Sequence, residues 1–154
     1  MGRAIACLRR FPPTEKDKEV TGTTLTDAQR ARLARELILW LTTVKPDGQP
    51  QSHPVWFVVE GDDLLMWSVP GERSKNLEEN NRVSANVNDN GRGGDVLTIE
   101  GIASFEPDRG PGSANPNFVG RYQPLIDSFN STWDWFDGRY VLPIRITPTK
   151  IYSS

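Results

Sequence analysis

Between Leu41 and Val87 apolar, β-branched and aromatic runs are separated by turn residues, and that pattern of hydrophobic and polar positions predicts strands. Leu41–Val59 reads as a hairpin, two strands joined through Pro46-Asp47-Gly48. A third strand, Asp62–Val69, is entered through Glu60-Gly61-Asp62-Asp63. Pro70-Gly71 then opens a basic turn that leads into a short helix and a further strand ending near Val87. Upstream, Thr26-Asp27-Ala28-Gln29 has the spacing of a capping box. The helix it opens is expected to carry Leu33, Leu37 and Trp40 on one face. Downstream, Asn88–Gly94 is a cluster of turn residues, and Asp95–Phe105 reads as a long strand with a bulge or bend at Gly101. Glu106–Pro116 is a Gly/Pro loop. Asn117–Gly138 reads as helical in two pieces, Tyr122–Phe129 and Ser131–Phe136, the second capped by Ser131 and ended by Gly138. Tyr140–Ile146 closes the pattern as a strand, with Pro148–Tyr152 extending it. About six strands in antiparallel hairpins with three short helices predict a closed or partly closed barrel with helical additions.

Composition narrows this picture only a little. A chain of 154 residues with 36% hydrophobic and 25% charged residues is one domain able to bury a core without disulfides. The net charge of −2 gives no electrostatic case for nucleic acid or an anionic membrane as partner. A single cysteine, Cys7, permits no internal disulfide, and the apolar stretch near the N-terminus is too short for an export signal. The expected location is therefore the cytoplasm. Residues 1–24, rich in proline and mixed charge, read as an N-terminal arm, and residues 25–154 as the folded domain.

The sharpest chemical signal is the corner after Pro70. Arg73 and Lys75 stand two residues apart at the start of a helix, where free N–H groups also attract anions. A solvated basic turn is the plain alternative. Ser74 and Asn76 have the donors to join the same anion, or to cap the helix. His53, the one histidine, has no nucleophile, metal cluster or second histidine nearby in sequence and is read as a bystander. Tyr122, Trp133, Trp135 and Phe136 form a dense aromatic group, suited to core or subunit packing or to a dry wall over a substrate. Gly91-Arg92-Gly93-Gly94 lacks the strand–turn–helix context of a dinucleotide loop and reads as a hairpin turn.

Taken in order, Pro54-Val55-Trp56-Phe57, Arg73-Ser74-Lys75-Asn76-Leu77, Asn81-Arg82-Val83-Ser84 and Pro143–Lys150 resemble the pyridoxamine-5′-phosphate-oxidase-like split-barrel proteins. Within that group the similarity runs to the small actinobacterial-type enzymes that use the deazaflavin coenzyme F420. It spans Leu33 to Tyr152. The family pattern places lysine before arginine in the basic corner; here the order is Arg73, Lys75, after a turn about one residue shorter. The resemblance implies a mainly β fold, an antiparallel split β-barrel with peripheral helices, assembled as a homodimer with two equivalent sites. It implies coenzyme F420, or alternatively FMN, with its phosphate on Arg73, Ser74, Lys75 and Asn76. The tricyclic ring would run beside Val55, Trp56 and Phe57, with Ser68 and Val69 on the neighbouring strand. The implied activity is hydride transfer between the bound deazaflavin and a small organic acceptor. No catalytic side chain and no metal is then required, because the cofactor carries the chemistry. A module that binds a flavin, deazaflavin or haem without turnover is the reading from a different class.

Overall fold

The computed structural model describes residues 23–154; the expectations for the N-terminal arm and for Cys7 lie outside the described residues. Helix α1 (Asp27–Arg35) leads into strands β1 (Leu39–Val44), β2 (Pro50–Val55), β3 (Val58–Glu60) and β4 (Asp63–Ser68). Helix α2 (Glu72–Glu79), β5 (Arg82–Asn86) and β6 (Leu97–Phe105) follow. A 3₁₀ turn at Gly112–Ala114 precedes helices α3 (Pro116–Ser128) and α4 (Trp133–Arg139), and β7 (Leu142–Ser153) completes the domain. The strands form one antiparallel sheet in the order β2-β1-β5-β6-β7-β4-β3. This is the antiparallel split β-barrel with peripheral helices that the resemblance implies. Among the described residues no helix is long and apolar enough to cross a membrane.

The predicted second arm of the hairpin turns out to be two strands. β2 pairs with β1 as far as Val55 opposite Leu39, where β1 begins and the ladder runs out. After Trp56 and Phe57 the chain resumes as β3 and pairs with β4, at the opposite edge of the sheet. Inward and outward sides still alternate through the crossing. Val55 and Phe57 enter the main core with Leu39, Leu41, Leu64, Met66, Ile99 and Ile144. Trp56 and Val58 face a second core built from Leu65, Trp67, Phe118, Tyr122, Ile126 and Phe136. Because β4 lies between the two cores, its apolar residues are buried on both faces, which is why Leu64–Trp67 runs without a polar interruption.

Other elements also depart from expectation. α1 has the predicted capping box, Thr26 and Gln29 bonding reciprocally, but it stops at Arg35. The guanidinium of Arg121, on α3, takes the carbonyls of Leu33, Ala34 and Glu36 and so caps the helix end. Leu37 and Trp40, expected on its apolar face, are instead partly exposed, Trp40 as an outward residue of β1. α3 begins at Pro116 with Asn115 as N-cap, one residue before the helical stretch expected from Asn117, and its first piece is longer than Tyr122–Phe129. For α4 the cap is Thr132 rather than Ser131, and Gly138 lies inside the helix rather than after it. The two closing segments form one strand, β7. Its register slips between Glu100 and Gly101, where Gly101 faces Pro148, so the predicted irregularity at Gly101 falls opposite a residue with no N–H to donate.

One end of the sheet is fastened by charge. Arg145 on β7 reaches Asp63 at 2.9 Å, Glu60 at 3.1 Å and Glu106, which Arg109 also bonds at 2.5 Å. Burial works against the Glu106 carboxylate, but hydrogen bonds and charge from Arg145 and Arg109 outweigh it and hold the group below its ordinary range. Arg145 is likewise penalised by burial, yet its bonds to Glu106 and Asp63 and the charges of Glu106 and Glu60 raise it further above its ordinary value.

Candidate functional site

Helix α2 separates the two cations that the sequence places together. On a helix, residues two apart project about 200° from each other. Arg73 points inward, half-buried, and Lys75 points to solvent. The neighbours of Arg73 are occupied by the fold. The Ser74 hydroxyl accepts from the Gly71 N–H at 2.9 Å and donates to the Gly71 carbonyl at 2.8 Å, closing the turn into the helix. The buried Asn76 amide donates to Thr43 Oγ1 at 3.1 Å and Gln51 Oε1 at 2.9 Å, which ties α2 to β1 and β2. Ser68, also buried, donates to the Val69 carbonyl, and Phe57 lies in the main core.

Arg73 ends in a cavity of about 300 Å³ whose other walls are almost wholly apolar. Val55 and Trp56 line one side, Trp67 another, and Phe129, Trp135, Phe136 and Tyr140 come from α3, α4 and the residues beside them. Trp56 is the centre of a stack. It lies flat on Tyr122 at 4.6 Å and on Phe136 at 5.6 Å, and Phe136 stacks in turn on Tyr140 at 4.5 Å. Phe129 and Trp135 remain exposed. The Nε of Arg73 is covered by the protein and has no hydrogen-bond partner. Burial pulls the guanidinium below its ordinary pKa, against a smaller opposing effect of Tyr140; the group stays charged at neutral pH. A buried donor without an acceptor is costly, and the same guanidinium is the one cation among the residues lining the cavity.

Of the residues singled out from the sequence, the cavity gathers Val55, Trp56 and Arg73. Phe57, Ser68, Ser74 and Asn76 are buried and do not line it, Val69 is half-buried just after β4, and Lys75 is exposed on α2. Trp67, Phe129 and Tyr140 were not anticipated as site residues, whereas Trp135 and Phe136 belong to the aromatic group read as core or wall. His53 is exposed on the edge strand β2, opposite Leu41. A second depression, about 390 Å³, lies on the outer sheet face between Trp40, Ser52, Asn86 and Thr98. Its lining carries no cation, and we place the site in the smaller, aromatic cavity because Arg73 lines it.

The family model described as pyridoxamine 5′-phosphate oxidase matches residues 25–114. The chain belongs to that family. As a member of the pyridoxamine 5′-phosphate oxidase family it is similar in structure to an F420 reductase, at 26% identity and a TM-score of 0.61, over 84% of this chain and 100% of that one. It also resembles a conserved hypothetical protein from Mycobacterium tuberculosis (18% identity, TM-score 0.64, 85% of each chain). A FAD-binding protein from Mesorhizobium loti (21% identity, TM-score 0.58, 85% of this chain and 93% of that one) shares the fold. No curated protein matches. The family match covers Val55, Trp56, Trp67 and Arg73 but ends before α3. The half of the cavity supplied by Phe129, Trp135, Phe136 and Tyr140 therefore lies outside it.

Proposed function

We propose that this chain is an oxidoreductase that binds a phosphorylated tricyclic cofactor, coenzyme F420 in the first place, and serves hydride transfer between it and a small organic acceptor. The observation that carries the reading is Arg73, a half-buried cation among the aromatic residues that line one cavity. Its shape and chemistry fit such a group: one fixed positive charge for a phosphate, flat apolar walls for a ring. The likeness to an F420 reductase supports the deazaflavin over FMN, which would use the same two features.

In this reading Arg73 holds the phosphate through charge-assisted hydrogen bonds, each contributing about 1.5–3 kcal/mol. Trp56, braced by Tyr122 and Phe136, presents a rigid face against which a ring is oriented. Phe129 and Trp135, at the apolar rim, exclude water from the reacting face. The bound cofactor supplies the hydride chemistry, and the chain contributes binding, orientation and dryness.

Parallel fluorescence titrations with coenzyme F420 and FMN test this directly. The expected result is saturable binding of coenzyme F420, tighter than FMN, followed by oxidation of the reduced form when acceptors are added. Binding of FMN alone would move the assignment to a flavin enzyme. Binding without turnover across varied acceptors would make the protein a carrier, and binding of neither would overturn the site.

A further inference from the structure

The hydroxyl of Tyr122 is buried, its ring packed in the second core with the Arg121 guanidinium 5.5 Å from the ring centre, and a phenylalanine would fill the same space. What the oxygen adds is three contacts to backbone. It accepts the Phe57 N–H at 2.8 Å, and its single proton is shared between the carbonyls of Leu37 at 2.8 Å and Phe57 at 2.9 Å. None of these backbone groups belongs to a strand. Phe57 is in the crossing between β2 and β3, and Leu37 is in the link from α1 to β1. Each is the immediate neighbour of a cavity-lining residue, Trp56 in one case and Ile38 in the other. The ring of Tyr122 meanwhile lies flat on Trp56, with an interplanar angle of 2°.

We propose that Tyr122 is the positioning residue of the aromatic cavity, its hydroxyl fixing the two backbone segments that carry Ile38 and Trp56 and so setting the width of the slot between them. The proposal rests on the reading of that cavity as the cofactor site. Tyr122 does not line the cavity, and it acts through Trp56 and Ile38. Without the hydroxyl the crossing loses the bond that replaces its missing ladder partner, and the Trp56 indole is free to tilt.

The test compares the wild-type chain with Tyr122→Phe and with Ile126→Val, a core change one turn along α3 in the same cluster. Two quantities are read: affinity for coenzyme F420 and FMN, and the ¹⁹F resonances of protein labelled with 5-fluorotryptophan, with Trp56 assigned from a Trp56→Phe sample. Tyr122→Phe is expected to bind at least ~5-fold more weakly, close to the effect of one lost hydrogen bond, and to move the Trp56 resonance. Ile126→Val is expected to lower the melting temperature while leaving affinity and that resonance in place. Affinity within twofold of wild type together with an unmoved Trp56 signal in Tyr122→Phe would overturn the proposal. Should the wild-type chain bind neither cofactor, the reading of the site fails, and the fluorine shift alone decides whether Tyr122 sets the cavity wall. If Tyr122→Phe does not fold, amide exchange in the wild-type chain decides: the Phe57 N–H, outside any strand, is expected to exchange as slowly as the ladder amides of β4. Fast exchange there would refute the pin.

Discussion

Arg73 and Lys75 are equivalent in sequence and unequal in space. Arg73 reaches the cavity and Lys75 faces water, so single substitutions should separate them. Arg73→Ala is expected to weaken cofactor binding by ~10- to 100-fold, the loss of one or two charge-assisted bonds. Lys75→Ala should cost less than ~3-fold, because an exposed cation contributes only screened attraction. Equal losses in a titration of the two variants would show that the helix turns differently when the site is filled. His53 sits on an exposed edge strand, and His53→Ala should reduce turnover at saturating cofactor by less than ~10-fold. A general acid or base typically contributes ~100-fold or more, so a larger drop would identify His53 as part of the chemistry. The basic corner was legible in the sequence because charge and helix start are local properties. The division of labour within it was not, since it depends on which face of α2 packs on β1, and Asn76 and Leu77 decide that by their burial.

At the scale of elements, the sequence revealed strands more readily than their partners. Val55 to Val58 is apolar at every position because alternate residues enter two different cores, so nothing in the pattern shows that the ladder changes sheet edge at Trp56. Where α1 ends was invisible for a different reason: the cap comes from Arg121, far along the chain. The bulge at Gly101 was legible, and the structure explains why glycine suits it. A Cβ there would stand 2.9 Å from the Thr147 carbonyl and 2.8 Å from Ile146 Cγ2. Gly101→Ala should therefore destabilise the fold by about 1–3 kcal/mol, read as a lower denaturation midpoint at unchanged slope. The charged end of the sheet makes a pH prediction. The folded pKa of Glu106 lies below its unfolded value, so its contribution is complete above about 4.5, the ordinary value, and is lost as pH falls through the folded pKa. Glu106→Gln should be less stable than wild type at pH 7, and the difference should shrink as unfolding is repeated below pH 4.5. A gap that stays constant down to pH 3 would mean that the network contributes no linkage.

At the scale of the molecule, several large apolar side chains remain exposed, among them Leu37, Trp40, Phe129 and Trp135. We propose that a second copy of the chain covers them, as the homodimer implied by the resemblance would, and light scattering should then give about twice the 17.3 kDa chain mass. A monomer that binds cofactor at full affinity would show instead that one chain completes the site. The position of β7 has a consequence for how the molecule comes into being. It is the last strand along the domain, yet it lies inside the sheet, with β6 on one flank and β4 on the other. Until it docks, β2-β1-β5-β6 and β4-β3 are separate ribbons with two bare edges, joined through the Trp56–Phe57 crossing and through α2 between β4 and β5. A nascent chain must hold those edges apart from its neighbours while α3 and α4 are still being made. Slowing synthesis between Phe105 and Leu142 should thus divert more chains into aggregates, although the finished protein would be no less stable.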